Sequence, residues 1–90
     1  MIVTGMEEFQ NICKQKLKNW YNDESNGMTE HINSDDVFVV WSCKSLQNYK
    51  CLLSTTVPRD GIYAEYTYSG DYQKLFEDVY KKMTNTCYDV

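Results

Sequence analysis

Four cysteines and a single histidine are the residues best suited to chemistry in this chain, set among thirteen carboxylates. A thiol becomes a nucleophile or a metal ligand only as the thiolate, which needs a nearby cation, a base or a converging ligand set. Cys13, Cys43, Cys51 and Cys87 form no CxxC pair, and their spacing is not that of a zinc knuckle or finger. Their apolar neighbours give the reading of four reduced, metal-free thiols that serve as small hydrophobes. Two alternatives stay open: a tetrahedral zinc site using Cys43 and Cys51 with the other cysteines closing it, and a disulfide between Cys43 and Cys51 across a hairpin. His31 stands in a polar stretch without a serine or cysteine at motif spacing, so it reads as an exposed loop histidine, although triads are assembled only in three dimensions. The four glycines sit at expected ends and turns, not in a phosphate-cradling loop. The expectation is a protein that is not an enzyme and has no cofactor and no metal.

Charge is the second chemical feature. The net charge is −4, and it is unevenly placed: Asp23, Glu24, Glu30, Asp35 and Asp36 crowd residues 21–36, where no lysine or arginine occurs. An acidic balance argues against direct nucleic-acid binding and against anionic membranes. The acidic stretch is either a solvated surface or a docking surface for a basic partner, including a mimic of nucleic-acid phosphates.

Ninety residues make a single domain, 1–90, with an acidic loop at 21–35. The longest apolar run, Val37 to Trp41, is far too short for a membrane span. The N-terminus lacks a basic region followed by an apolar run, so a cytoplasmic protein is expected. Thr4-Gly5-Met6-Glu7 has the form of a capping box. Beyond it Phe9, Ile12, Cys13, Leu17 and Trp20 fall at helical spacing, giving a helix over about 5–21. Residues 36–57 form the organising hairpin: β-branched and aromatic arms over 36–43 and 49–57, reversed at Leu46-Gln47-Asn48, with Cys43 opposite Cys51. Pro58-Arg59-Asp60-Gly61 suits a turn closed by a left-handed glycine, and a third strand follows at 62–68. Ser69 or Asp71 would then cap a last helix carrying Tyr72, Leu75, Phe76, Val79, Tyr80 and Met83 on one face.

The expected fold is therefore α+β: helix, three-stranded antiparallel sheet, helix, with both helices on one sheet face. Alternation places Val37, Val39, Trp41, Cys43, Cys51, Leu53, Ile62, Ala64 and Tyr66 under the helices, with Trp41 buried between them. Phe38, Val40, Leu52 and Tyr63 fall on the opposite face among polar residues. An exposed apolar patch of that kind marks a protein–protein contact. The partner-binding residues read from sequence are thus Asp23, Glu24, Glu30, Asp35 and Asp36 from the loop, and Phe38, Val40, Leu52 and Tyr63 from the sheet.

Helix, three strands and helix is also the order of the double-stranded-RNA-binding domain, but that family's lysine cluster is replaced here by Gly70-Asp71-Tyr72-Gln73-Lys74. More specifically, the stretch Asp36-Val37-Phe38-Val39-Val40-Trp41-Ser42-Cys43-Lys44, then Leu46-Gln47-Asn48 and Leu52 to Pro58, resembles a family of small uncharacterised proteins of phages and prophages of Gram-positive bacteria. Glu65-x-Thr67-Tyr68 and Tyr80-Lys81-Lys82 extend the likeness. The resemblance implies a phage-encoded accessory protein acting in the bacterial cytoplasm. Small acidic phage proteins often inhibit host defence, so the expected partner is a host protein such as a CRISPR or other defence nuclease, bound without catalysis. The alternative is a small-ligand-binding or structural homo-oligomeric phage protein, with a homodimer as its simplest form.

Overall fold

The computed structural model of the chain describes residues 3–28, 30–58 and 60–90. Among them are one α-helix, α1 (Met6–Asn22), and four strands, β1 (Val37–Ser45), β2 (Asn48–Thr55), β3 (Ile62–Ser69) and β4 (Lys74–Lys81). The strands form one antiparallel sheet in the order β1-β2-β3-β4.

The apolar face of α1 forms as its spacing dictates. Phe9, Cys13, Leu17 and Tyr21 recur every fourth residue, and all four are buried. They pack on Tyr49, Cys51 and Leu53 of β2, and on Ile62, Ala64, Tyr66 and Tyr68 of β3. Phe9 meets the Tyr49 ring at 5.3 Å between centroids. The capping box is replaced by a neighbouring arrangement. Gly5 is the N-cap and offers no side chain; the amide and hydroxyl of Thr4 both donate to the Glu8 carboxylate, at 3.1 and 3.0 Å. Gly61 takes the expected left-handed conformation, with φ +66, although Arg59 of that turn lies outside the described residues.

Two expectations are overturned. The last helix is a strand: β4 pairs with β3 from Ile62↔Lys81 to Ser69↔Lys74. The apolar residues at 75, 76, 79 and 80 satisfy helical spacing, but they equally split into Leu75, Glu77, Val79 and Phe76, Asp78, Tyr80 at strand spacing. The free edge of β3 decides between the two, because pairing satisfies a row of backbone groups that a separate helix would leave open. The architecture is therefore one helix on a four-stranded sheet. Helix, three strands and helix does not describe it, and Ser69 and Asp71 cap nothing.

The second correction is in β1. Val39 pairs with Leu53 but Trp41 pairs with Leu52, so Val40 is an extra residue, a β-bulge. The bulge moves Trp41 and Cys43 to the uncovered face and brings Ser42 and Lys44 to the helix side. The Gln10 amide donates to Ser42 Oγ at 2.9 Å, fixing that side. The turn is two residues, Leu46-Gln47, with Ser45 opposite Asn48. Cys43 consequently faces Lys50, and Cys51 faces Ser42. Trp41 is not buried between helices; it is 49% exposed.

Candidate functional site: the uncovered face of the sheet

The pairing register places one residue in two from each strand on the side of the sheet that α1 does not cover. From β1 come Phe38, Trp41 and Cys43, opposite Ser54, Leu52 and Lys50 of β2. From β3 come Tyr63, Glu65 and Thr67, opposite Tyr80, Asp78 and Phe76 of β4. Phe38, Trp41, Tyr63, Phe76 and Tyr80 are between 39% and 54% exposed, and Val40 at the bulge is 61% exposed. Tyr63 and Tyr80 stack with ring centroids 5.0 Å apart.

Charges run across the middle of this face. Glu65 and Asp78 are direct cross-strand neighbours of like sign, an unfavourable pairing in an isolated sheet. Lys50 answers Glu65 with an ion pair of 2.7 Å, and that hydrogen bond holds the lysine charged above its ordinary range. The carboxylate of Asp78, followed by the cost of desolvation, pushes the Tyr80 hydroxyl up.

The acidic loop lies elsewhere. Asn22 at the end of α1 holds it, donating to the Ile32 carbonyl at 2.7 Å and accepting from the Ile32 amide at 2.8 Å. Ile32 is thereby buried in the core under the helix. The loop packs on the helix side, with only Asp36 reaching the start of β1. Its five carboxylates divide by role. Asp23 caps the turn Glu24–Asn26, accepting from the Ser25 amide and hydroxyl, and those bonds draw its pKa down. Asp36 closes a capping box with Asn33 and accepts from Thr56 Oγ1 at 3.3 Å. Glu24, Glu30 and Asp35 are exposed, and their carboxylates make no hydrogen bond among the described residues. The sequence-read site is therefore two surfaces on opposite sides of the sheet.

The cysteines are also divided. Cys13 and Cys51 are buried and Cys43 and Cys87 are exposed, all four as free thiols. Cys13 donates its hydrogen bond to Cys51; the bond first, and burial second, hold the Cys13 thiol protonated, while Cys51 is the thiol lowered. Cys43 lies on the other face, so the four do not converge on one point. No group of three or more His, Cys, Asp or Glu among the described residues is arranged to hold a metal ion. His31 is exposed. A cleft of about 520 Å³ at the end of the sheet is lined by Ser54, Asp60, Tyr63, Tyr80 and Lys82. Its polar groups serve the fold: Ser54 donates to the Ile62 carbonyl at 3.0 Å, and Asp60 accepts from Tyr21 at 2.6 Å.

A family model covers this face completely, matching residues 10–90. The chain belongs to DUF6275, a family of unknown function. No curated protein and no solved structure matches it. The matched residues take in most of α1, all four strands and the exposed segment after β4. No helix among the described residues is long and apolar enough to cross a membrane.

Sequence reasoning placed Phe38, Val40, Leu52 and Tyr63 at this face and missed Trp41, Phe76 and Tyr80. One signal was available for the last two. Phe76, Asp78 and Tyr80 carry the alternation of a strand as clearly as Tyr63, Glu65 and Thr67 do. Nothing in the local sequence marks the bulge at Val40, because Val37 to Trp41 is apolar throughout and gives no in–out pattern.

Proposed function

We propose that this DUF6275 chain is a non-enzymatic, phage-encoded accessory protein that works in the bacterial cytoplasm by binding another protein, with a host defence nuclease as the partner class. The observation that supports a binding role is the aromatic face: five half-exposed rings on a single sheet surface. Half of five rings at roughly 150–250 Å² each, with Val40 added, gives on the order of 500 Å² of apolar surface. That is near the upper end for the largest patch on a monomer, where such patches commonly serve association. Phage origin and the host partner rest on the resemblance of the hairpin residues to phage and prophage proteins.

The two surfaces would contribute differently. Glu24, Glu30 and Asp35 act at long range, steering a basic partner and raising the association rate at low salt, since the Debye length is about 8 Å at physiological ionic strength. The aromatic face sets the dissociation rate, with Trp41 and Tyr63 as anchors. Inhibition on this reading is stoichiometric. The test is affinity capture from a bacterial lysate followed by binding kinetics on the captured protein. Trp41→Lys or Tyr63→Ala should raise the off-rate, and charge reversal at Glu24, Glu30 and Asp35 should lower the on-rate at low salt only. Complete inactivation of the partner by a substoichiometric amount would refute a non-enzymatic role.

A further inference from the structure

We infer that the uncovered sheet face closes on a second copy of this chain, forming a two-layer sandwich with the helices outside. This rests on the reading of that face as an interaction surface: a second copy occupies it in the free protein, and a host partner that uses the same rings must displace that copy. Three observations carry the inference.

The first is area. The five rings and Val40 expose on the order of 500 Å² of apolar surface on this face. A standard interface takes roughly 800 Å² from each partner, about 65% of it apolar in homodimers, so the face supplies about the apolar area that a dimer needs.

The second is charge. The whole chain carries −4, yet this face carries two lysines, Lys50 and Lys74, against two carboxylates, Glu65 and Asp78. The entire excess of negative charge therefore lies on other surfaces. Two copies repel least when they meet through this face.

The third is the order of the strands. The aromatic rows stand on the outer strands, Phe38 and Trp41 on β1 and Phe76 and Tyr80 on β4. The ion pair stands on the inner ones, Lys50 on β2 and Glu65 on β3. A two-fold axis along the strands lays β1 over the second copy's β4 and β2 over its β3. By the pairing register Phe38 then lies level with Tyr80 of the second copy, Trp41 level with Asp78 between the Phe76 and Tyr80 rings, and Lys50 level with Thr67, two residues along the strand from Glu65. Aligned sheets pack in this way at about 10 Å separation and about 30°. The sheet edge is the poorer contact, because β4 is guarded by Lys74, Glu77, Asp78 and Lys81.

Sedimentation of the full chain across micromolar to submillimolar concentration tests this. The expected mass is twice 10.6 kDa. Trp41→Lys should raise the dissociation constant about thirty-fold or more, as loss of an aromatic anchor does, and leave the circular dichroism unchanged. Thiol labelling gives a second readout within the parent protein. Cys43 lies on the face and should be protected in the dimer and react on dilution, whereas Cys87 should react at any concentration. A parent that stays monomeric, with Cys43 reacting as fast as Cys87, overturns the inference. So does a dimer that survives both Trp41→Lys and Phe76→Lys. If the parent is monomeric but Trp41→Lys abolishes binding of a captured host protein, self-association fails and the interaction surface stands. If that binding is also indifferent to Trp41→Lys, both fail.

Discussion

Tyr66→Phe should destabilise the protein at neutral pH and cease to do so near pH 11. Tyr66 is fully buried, and its hydroxyl donates to the Glu77 carboxylate at 2.7 Å. Tyr66 and Glu77 are direct partners across β3 and β4, so this bond ties the edge strand to the core. Hydrogen bonds to charged groups contribute about 1.5–3 kcal/mol. Glu77 is exposed and regains water when the hydroxyl is lost, so the lower figure, about 1.5 kcal/mol, applies. Burial first, and the carboxylate acceptor second, hold the folded-state hydroxyl protonated well above the ordinary tyrosine range. The unfolded chain releases that proton near pH 10, so this contribution is intact below pH 10 and is lost as the pH rises above it. The loss is about 1.4 kcal/mol by pH 11. Phenylalanine has no proton to lose. The gap of about 1.5 kcal/mol between parent and variant should hold from pH 7 to 9 and close to about zero at pH 11. Urea unfolding followed by far-ultraviolet circular dichroism at stepped pH measures it. Tyr21, raised by burial and then by Asp60, adds the same slope to both proteins and cancels. A gap that stays constant to pH 11 would refute the argument, as would a neutral-pH cost below about 0.5 kcal/mol.

Two further substitutions test the packing. Phe9→Ala removes a fully buried ring and should cost about 3–5 kcal/mol in urea unfolding, whereas Trp41→Ala, measured where the chain is monomeric, should cost under about 1 kcal/mol; the opposite order would return Trp41 to the core. A Cβ on Gly70 would lie 2.6 Å from Gln47 Cβ, so Gly70→Ala must displace the β1–β2 turn and should lower stability by about 1–3 kcal/mol, as other overpacked sites do, whereas Gly5→Ala, where nothing stands within 4 Å, should cost only the N-cap preference of glycine over alanine, about 0.5–1 kcal/mol.

What the sequence allowed to be read, and what it did not, follows from where local signals are sufficient. α1 and the first three strands were legible because spacing, turn residues and composition agree in each. Leu75 to Tyr80 carry two periods at once, so their state is set by a partner distant in sequence, the open edge of β3, which no local window contains. The bulge at Val40 is hidden for a related reason: an all-apolar run cannot announce which of its residues is skipped, and the choice falls to the two-residue turn and to Gln10 reaching Ser42 from α1. Both misreadings concern the same surface. The bulge turns Trp41 outward, and the strand brings Phe76 and Tyr80 beside Tyr63. A sparse patch of four residues thereby becomes an aromatic face running from β1 to β4. The acidic loop shows the converse. Its composition was plain in sequence, yet Asp23 and Asp36 are spent on capping, and Asn22 ties the loop to the helix side. Charge that sequence alone assigned to one surface with the aromatics is held on the other side of the sheet. A face-to-face dimer would leave that side exposed, so each copy would carry an acidic loop outward while the rings are covered.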